Sequence, residues 1–131
     1  MSLDIGIGNG ISLIPVSGEP SFRLEGGIYW FLHPLLERLA TETGQYIDLY
    51  GDASFTDAAL VELKRMLAEA RDLAAAQPHS WLWFVGLQTA PVRKELFKTV
   101  ERAEVFATLD CWDKVVRRAE ELGQPVVCFG D

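Results

Sequence analysis

The chain carries few of the residues that most catalytic and metal sites are built from. There are two histidines and two cysteines in 131 residues. Neither His33 nor His79 has a second ligand at a spacing such as His-Glu-x-x-His, so no local zinc motif is present. No serine sits in a Gly-x-Ser-x-Gly turn. These absences predict no metal and no cofactor. No apolar run approaches the roughly 20 residues that cross a bilayer. No basic flank followed by an apolar stretch follows Met1, so no secretory leader is expected. The expectation is a cytoplasmic protein with reduced thiols and no membrane partner. Repeats, low-complexity tracts and linkers are missing too, which predicts one globular domain over residues 1–131. Positive charge is also scarce, with 12 Lys and Arg against 19 Asp and Glu and a net charge of −7. Such a field repels phosphate backbones, which argues against nucleic acid and favours a partner with a basic surface, or simple solubility.

Large apolar side chains, in contrast, are plentiful. Hydrophobic residues make up 49%, including four Trp, seven Phe and three Tyr, enough for a core without staples. Leu3–Ile7 and Ile11–Val16 are β-favourable runs around Gly8-Asn9-Gly10, and Asn-Gly between such runs predicts a β-hairpin. The alternative, a phosphate-binding glycine loop, needs a helix directly after the glycines, where the residues favour a strand. Ile28, Phe31, Leu32, Leu35, Leu36 and Leu39 form one helical stripe ending near Gly44, with Pro34 either kinking the helix or starting it. Tyr46–Leu49 alternates like a strand. A second helix runs from the N-cap Thr56 to about Ala76, burying Leu60, Leu63, Leu67, Ala70 and Ala74. Trp81–Leu87 is apolar on both faces, as a covered central strand would be. Ala90–Lys98 is irregular, with room for an edge strand. A third helix spans about Glu104–Leu122, burying Val105, Leu109, Trp112, Val116 and Ala119, although Ala103–Ala107 also suits an extended chain. Val126–Phe129 is a terminal strand. The fold class is α+β (or α/β): a mixed or antiparallel sheet of about four to six strands packed with three helices and opening with a hairpin.

Function-capable side chains are densest between Tyr46 and Asp52. Alternation places Tyr46, Asp48 and Tyr50 on an exposed face and Ile47 and Leu49 inside, with Gly51 and Asp52 leading into a turn. Asp is disfavoured in strands, so Asp48 is the residue least explained by structure alone. Asp48 and Asp52 meeting at a strand end would suit Mg²⁺ or an acid–base pair. The plainer reading has Asp52 stabilising the turn and Asp57 favouring a helix N-terminus. His33 lies on or beside the polar flank of the first helix with Tyr29 and Glu37. Cys111 and Cys128 read as small buried hydrophobes. Trp81 and Trp83 share a strand face, read as core under a helix or as a platform for a partner. Arg93, Lys94, Lys98 and Arg102, with Arg117 and Arg118, are the local basic clusters, read as solvated faces.

Three functional classes follow. The first is a non-enzymatic acidic protein-binding domain contacting a basic partner through Tyr46, Asp48, Tyr50, Asp52, Tyr29 and His33. In size and charge alone it is similar to bacterial toxin-neutralising, immunity-type proteins, which block a basic surface. The second is a small-molecule-binding protein or hydrolase-like enzyme with a pocket around Asp48, Tyr50 and His33. The third is a self-associating structural subunit, such as a homodimer joined through exposed Trp faces.

Overall fold

Six strands and three helices follow one another in a computed structural model that describes residues 3–88 and 94–130. The first strand, β1 (Leu3–Ile7), pairs antiparallel with β2 (Ser21–Leu24), so the chain opens with a hairpin. The partner strand is not Ile11–Val16. Asn9 turns the chain as Asn-Gly suggested, but its side-chain oxygen accepts the N–H groups of Ile11 (2.9 Å) and Ser12 (2.8 Å), which curls the chain away from a ladder. The resulting long loop is tied down elsewhere. Val16 N–H bonds Ile7 O at 2.9 Å, and Arg118 holds Glu19 with a two-pronged fork at 2.8 and 3.2 Å. Gly8 is needed for close approach: a Cβ there would lie 2.6 Å from Val127.

Helix α1 (Gly26–Thr43) is capped by Glu25, whose carboxylate accepts the N–H groups of Gly27 and Ile28. It ends at Gly44, left-handed at φ 74°. The stripe Ile28, Phe31, Leu32, Leu36 and Leu39 is buried. Pro34 neither starts nor breaks the helix, although it lacks the N–H that would bond the Trp30 carbonyl. The indole N–H of Trp83 bonds that carbonyl instead, at 3.0 Å. A side chain from another element therefore replaces the missing backbone donor.

Strand β3 (Asp52–Phe55) is short and starts six residues after Tyr46. Tyr46–Leu49, expected as a strand, has no ladder partner: it is an extended segment passing into a turn. Helix α2 (Asp57–Ala75) buries every residue named from its spacing, plus Met66. Thr56 occupies its N-cap but makes no side-chain bond there. Next come β4 (Ser80–Gln88) and β5 (Lys94–Glu101), which among the described residues pair only with each other. β4 is thus not a central strand. Trp81 and Trp83 pack on Phe31 of α1 with ring centroids 5.0 and 5.3 Å apart, while Leu82 and Phe84 face outward. Part of the irregular stretch, residues 89–93 with Arg93, lies outside the described residues. Helix α3 (Arg102–Leu122) is helical through Ala103–Ala107 and buries all five expected residues together with Val115. Cys111 lies on its exposed side, contrary to expectation, whereas Cys128 is buried and its thiol is pushed up by burial alone.

The last strand, β6 (Val126–Gly130), lies between β1 and β3 and gives the antiparallel order β2-β1-β6-β3. Three helices and six strands in two antiparallel sheets make this an α+β domain. One cluster of apolar side chains joins the sheets through the helices. No helix of the described residues is long and apolar enough to cross a membrane.

Candidate functional site

Helix α1 presents Tyr29, His33 and Glu37 four residues apart, and such a spacing aligns side chains along one helix flank. Tyr29 is buried, His33 half-buried and Glu37 exposed, so the row runs from the core to the surface. The chain reverses at Gly44 and brings the segment from Gln45 onward back against this flank. Several bonds seat it. The Thr43 hydroxyl donates to Leu39 O (2.7 Å) and accepts from Gln45 N–H (3.1 Å), and the Gln45 side chain accepts from Ser54 N–H of β3 (3.0 Å). Ile47 and Leu49 anchor the segment in the core. At its far end Gly130 N–H bonds Gly51 O at 2.9 Å. The two backbones run so close there that a Cβ on Gly130 would lie 2.6 Å from the Leu49 carbonyl oxygen.

Three side chains then join in a line. Glu37 Oε1 lies 3.0 Å from His33 Nδ1, and His33 Nε2 lies 2.7 Å from the Tyr46 hydroxyl. In the neutral imidazole the carboxylate accepts a hydrogen bond from Nδ1–H, which leaves Nε2 to accept from the phenol. Tyr29 sits behind this row and donates to Ile47 O at 3.0 Å. Burial raises its phenol far above the ordinary tyrosine value, helped by the nearby Tyr46 hydroxyl and by the negative charges of Asp48 and Glu37. Trp30 stacks against the cluster, its ring centroid 5.0 Å from that of His33.

The structure therefore brings together Tyr29, His33, Tyr46 and Asp48 of the six residues singled out by sequence. Asp48 also acts locally: its Oδ1 accepts Tyr50 N–H at 3.3 Å and closes the turn, the role expected of Asp52. Asp52 is exposed at the start of β3, opposite Phe129. Tyr50 is 70% and Tyr46 38% exposed. Glu37, placed on the flank of His33 and Tyr29 by its spacing, was not among the residues expected to make contact. The signal for it was the i, i+4 step from His33, readable in the sequence but not distinctive. Among the described residues, no group of three His, Cys, Asp or Glu side chains is placed to hold a metal ion. Clefts of about 430 and 490 Å³ open elsewhere, the first lined by Thr56, Leu60 and Gln124, the second by Ile14, Phe22 and Arg23.

Three residues of the basic clusters have structural partners. Lys98 lies 3.6 Å from Glu25, Arg102 bonds Gln77 O at 3.1 Å, and Arg118 holds Glu19 and Glu121. By contrast, neither Asp48 nor Asp52 makes an ion pair among the described residues, and the only such partner of Glu37 is His33. The surface around Tyr46 and Tyr50 therefore combines exposed phenols with carboxylates that no described Lys or Arg neutralises.

No protein-family model matches this chain, no curated protein matches it in sequence, and no solved structure matches its fold.

Proposed function

We propose that the protein is a non-enzymatic binding domain that grips a basic surface of another protein through Tyr46, Tyr50 and the carboxylates beside them. One observation carries this reading: Tyr46 is partly exposed yet fixed, its hydroxyl bonded to His33 and its neighbours Ile47 and Leu49 rooted in the core. A contact side chain that is already ordered loses little freedom on binding, and tyrosines held this way make strong anchors. The unneutralised charge of Glu37, Asp48 and Asp52 would steer a cationic partner and speed encounter. A toxin-neutralising role of the immunity type fits this description, as one case among acidic blocking proteins.

The experiment compares capture of partners from the protein's own cell extract by wild type, Tyr50→Ala, Tyr46→Ala and Glu37→Lys, followed by binding kinetics with the captured species. The tyrosine variants should weaken binding at least about tenfold, in line with loss of an interface anchor. Glu37→Lys should slow association, most of all at low salt. A partner whose binding ignores all three changes would refute the assignment of this surface.

A second reading, self-association, is favoured by a specific feature, though not by the Trp face, which lies on α1. The outer face of the β4–β5 ribbon leaves Leu82 66%, Phe84 47% and Phe97 50% exposed, with Phe84 and Phe97 in edge contact at 5.8 Å. β5 has no second ladder partner among the described residues. Two copies of it meeting antiparallel about a two-fold axis can set Phe97 opposite its own copy and Glu95 opposite Thr99, all on the face that carries Leu82 and Phe84. Sedimentation equilibrium decides: a monomer at high concentration removes this reading, and a dimer abolished by Leu82→Glu supports it.

A further inference from the structure

The row Glu37–His33–Tyr46 has a chemical consequence that a contact surface does not require. We propose that Tyr46 is a base-activated phenol that accepts an acyl group from a neutral or cationic activated acyl donor. The geometry is that of an assisted nucleophile. His33 Nε2 lies 2.7 Å from the attacking hydroxyl, within reach for proton transfer, and the Glu37 carboxylate 3.0 Å from Nδ1 fixes the tautomer in which Nε2 is free to accept. Tyr46 is open to solvent on its other side, so a donor can approach without a cavity.

In the step itself the Tyr46 oxygen attacks the acyl carbon and forms the ester bond. The bond from that carbon to the leaving group breaks, and its electron pair departs with the leaving group. The phenolic proton passes to His33 Nε2 and from there to the leaving group or to water. No electron is gained or lost overall. Glu37 is a positioning residue, acting through the imidazole.

The donor class follows from charge. Glu37 beside the imidazole and Asp48 beside the Tyr29 end of the cluster add to a chain of net charge −7, and such a field repels anionic phosphoryl donors. A neutral acyl carbon has no such barrier. This role stands apart from partner binding, which uses the shape of Tyr46 and not its proton.

The test uses the competition between two tyrosines only four residues apart. Tyr50 is nearly twice as exposed as Tyr46, so accessibility alone predicts that it reacts first. The folded protein is treated with N-acetylimidazole, and acetylation at Tyr29, Tyr46 and Tyr50 is followed by fragment-ion mass spectrometry. Activation predicts Tyr46 at least about tenfold ahead of Tyr50, a threshold set below the roughly hundredfold that general base assistance supplies at its low end. His33→Phe keeps an aromatic ring against Trp30 but removes the base, and should drop Tyr46 to the Tyr50 rate or below. Glu37→Gln retains an acceptor for Nδ1–H and should leave Tyr46 ahead, whereas Glu37→Leu should not. Buried Tyr29 gauges folding in every sample, since it stays unmodified unless the chain opens; if His33→Phe exposes it, His33→Gln takes its place. Acetyl phosphate, which carries the same acetyl group on an anion, should lose most of the Tyr46 preference. Faster acetylation of Tyr50 in the wild type, or a Tyr46 rate unmoved by both His33 variants, overturns the proposal. Equal preference with acetyl phosphate overturns the donor class.

Discussion

Replacing Trp83 with Phe tests whether the proline in α1 is tolerated because another element supplies its missing donor. Pro34 leaves the Trp30 carbonyl without an intrahelical partner, and the Trp83 indole N–H takes it at 3.0 Å. Phe keeps a ring against Phe31 but cannot donate. A neutral hydrogen bond contributes about 1 kcal/mol net, and an acceptor left partly buried without one costs about 1–3 kcal/mol. The smaller ring also forfeits some packing, so Trp83→Phe should cost about 2 kcal/mol in all. The decisive comparison is the same change in a Pro34→Ala background. Pro34 is exposed, so alanine loses no core contact there, and its new N–H can bond the Trp30 carbonyl directly. In that background Trp83→Phe should cost only the packing part, leaving a coupling of about 1 kcal/mol between two positions 49 residues apart. Urea unfolding of the four proteins, followed by far-ultraviolet circular dichroism because tryptophan emission itself changes, gives each free energy. Additivity within about 0.3–0.5 kcal/mol would refute the donor-replacement argument.

Other consequences can be checked directly. Gly130→Ala should destabilise the protein by about 1–3 kcal/mol, as overpacking does, because its Cβ collides with the Leu49 carbonyl; a melting temperature equal to wild type would contradict that contact. Asp48→Asn keeps the acceptor for Tyr50 N–H, so stability should hold while association with a basic partner slows, whereas Asp48→Ala should also lower the melting temperature. The bond to Arg118 holds the Glu19 carboxyl below its ordinary value of 4.5. A lowered value means that the pair stabilises the fold above pH 4.5 and ceases to do so as acid protonates Glu19. The melting temperature gap between wild type and Glu19→Gln should therefore be present at pH 7 and narrow as the pH falls below 4.5, closing once Glu19 is protonated; a gap independent of pH would argue against the pair.

The helices were legible because their stripes are long. Each residue named for α2 and α3 is buried, since a 3.6-residue period sustained over five turns admits few alternatives. Short segments were harder to read. Ile11–Val16 has strand-forming residues, yet two hydrogen bonds from the Asn9 side chain divert it, and no propensity scale registers such a bond. The alternation of Tyr46–Leu49 reported facing correctly, with Ile47 and Leu49 inside and Tyr46 partly outside, but not ladder pairing; an extended segment on a helix gives the same pattern. Trp81–Leu87 looked like a covered strand because composition does not say whether a second layer exists to cover Leu82 and Phe84. At the site, His33 and Tyr46 were each picked out, but their meeting depends on the reversal at Gly44. The Glu37–His33 contact is an i, i+4 step within α1, but it becomes part of a row only because the returning segment sets Tyr46 on that flank.

The absence of any described ladder between β4–β5 and the four-stranded sheet has a dynamic consequence. The ribbon is held to α1 and α3 by side-chain packing, the indole bond and the Lys98–Glu25 pair, so it can detach without unzipping β2-β1-β6-β3. Amides of β4 and β5 should then exchange with deuterated solvent through a partial opening, well ahead of those in β1 and β6, which are released only when the whole chain unfolds.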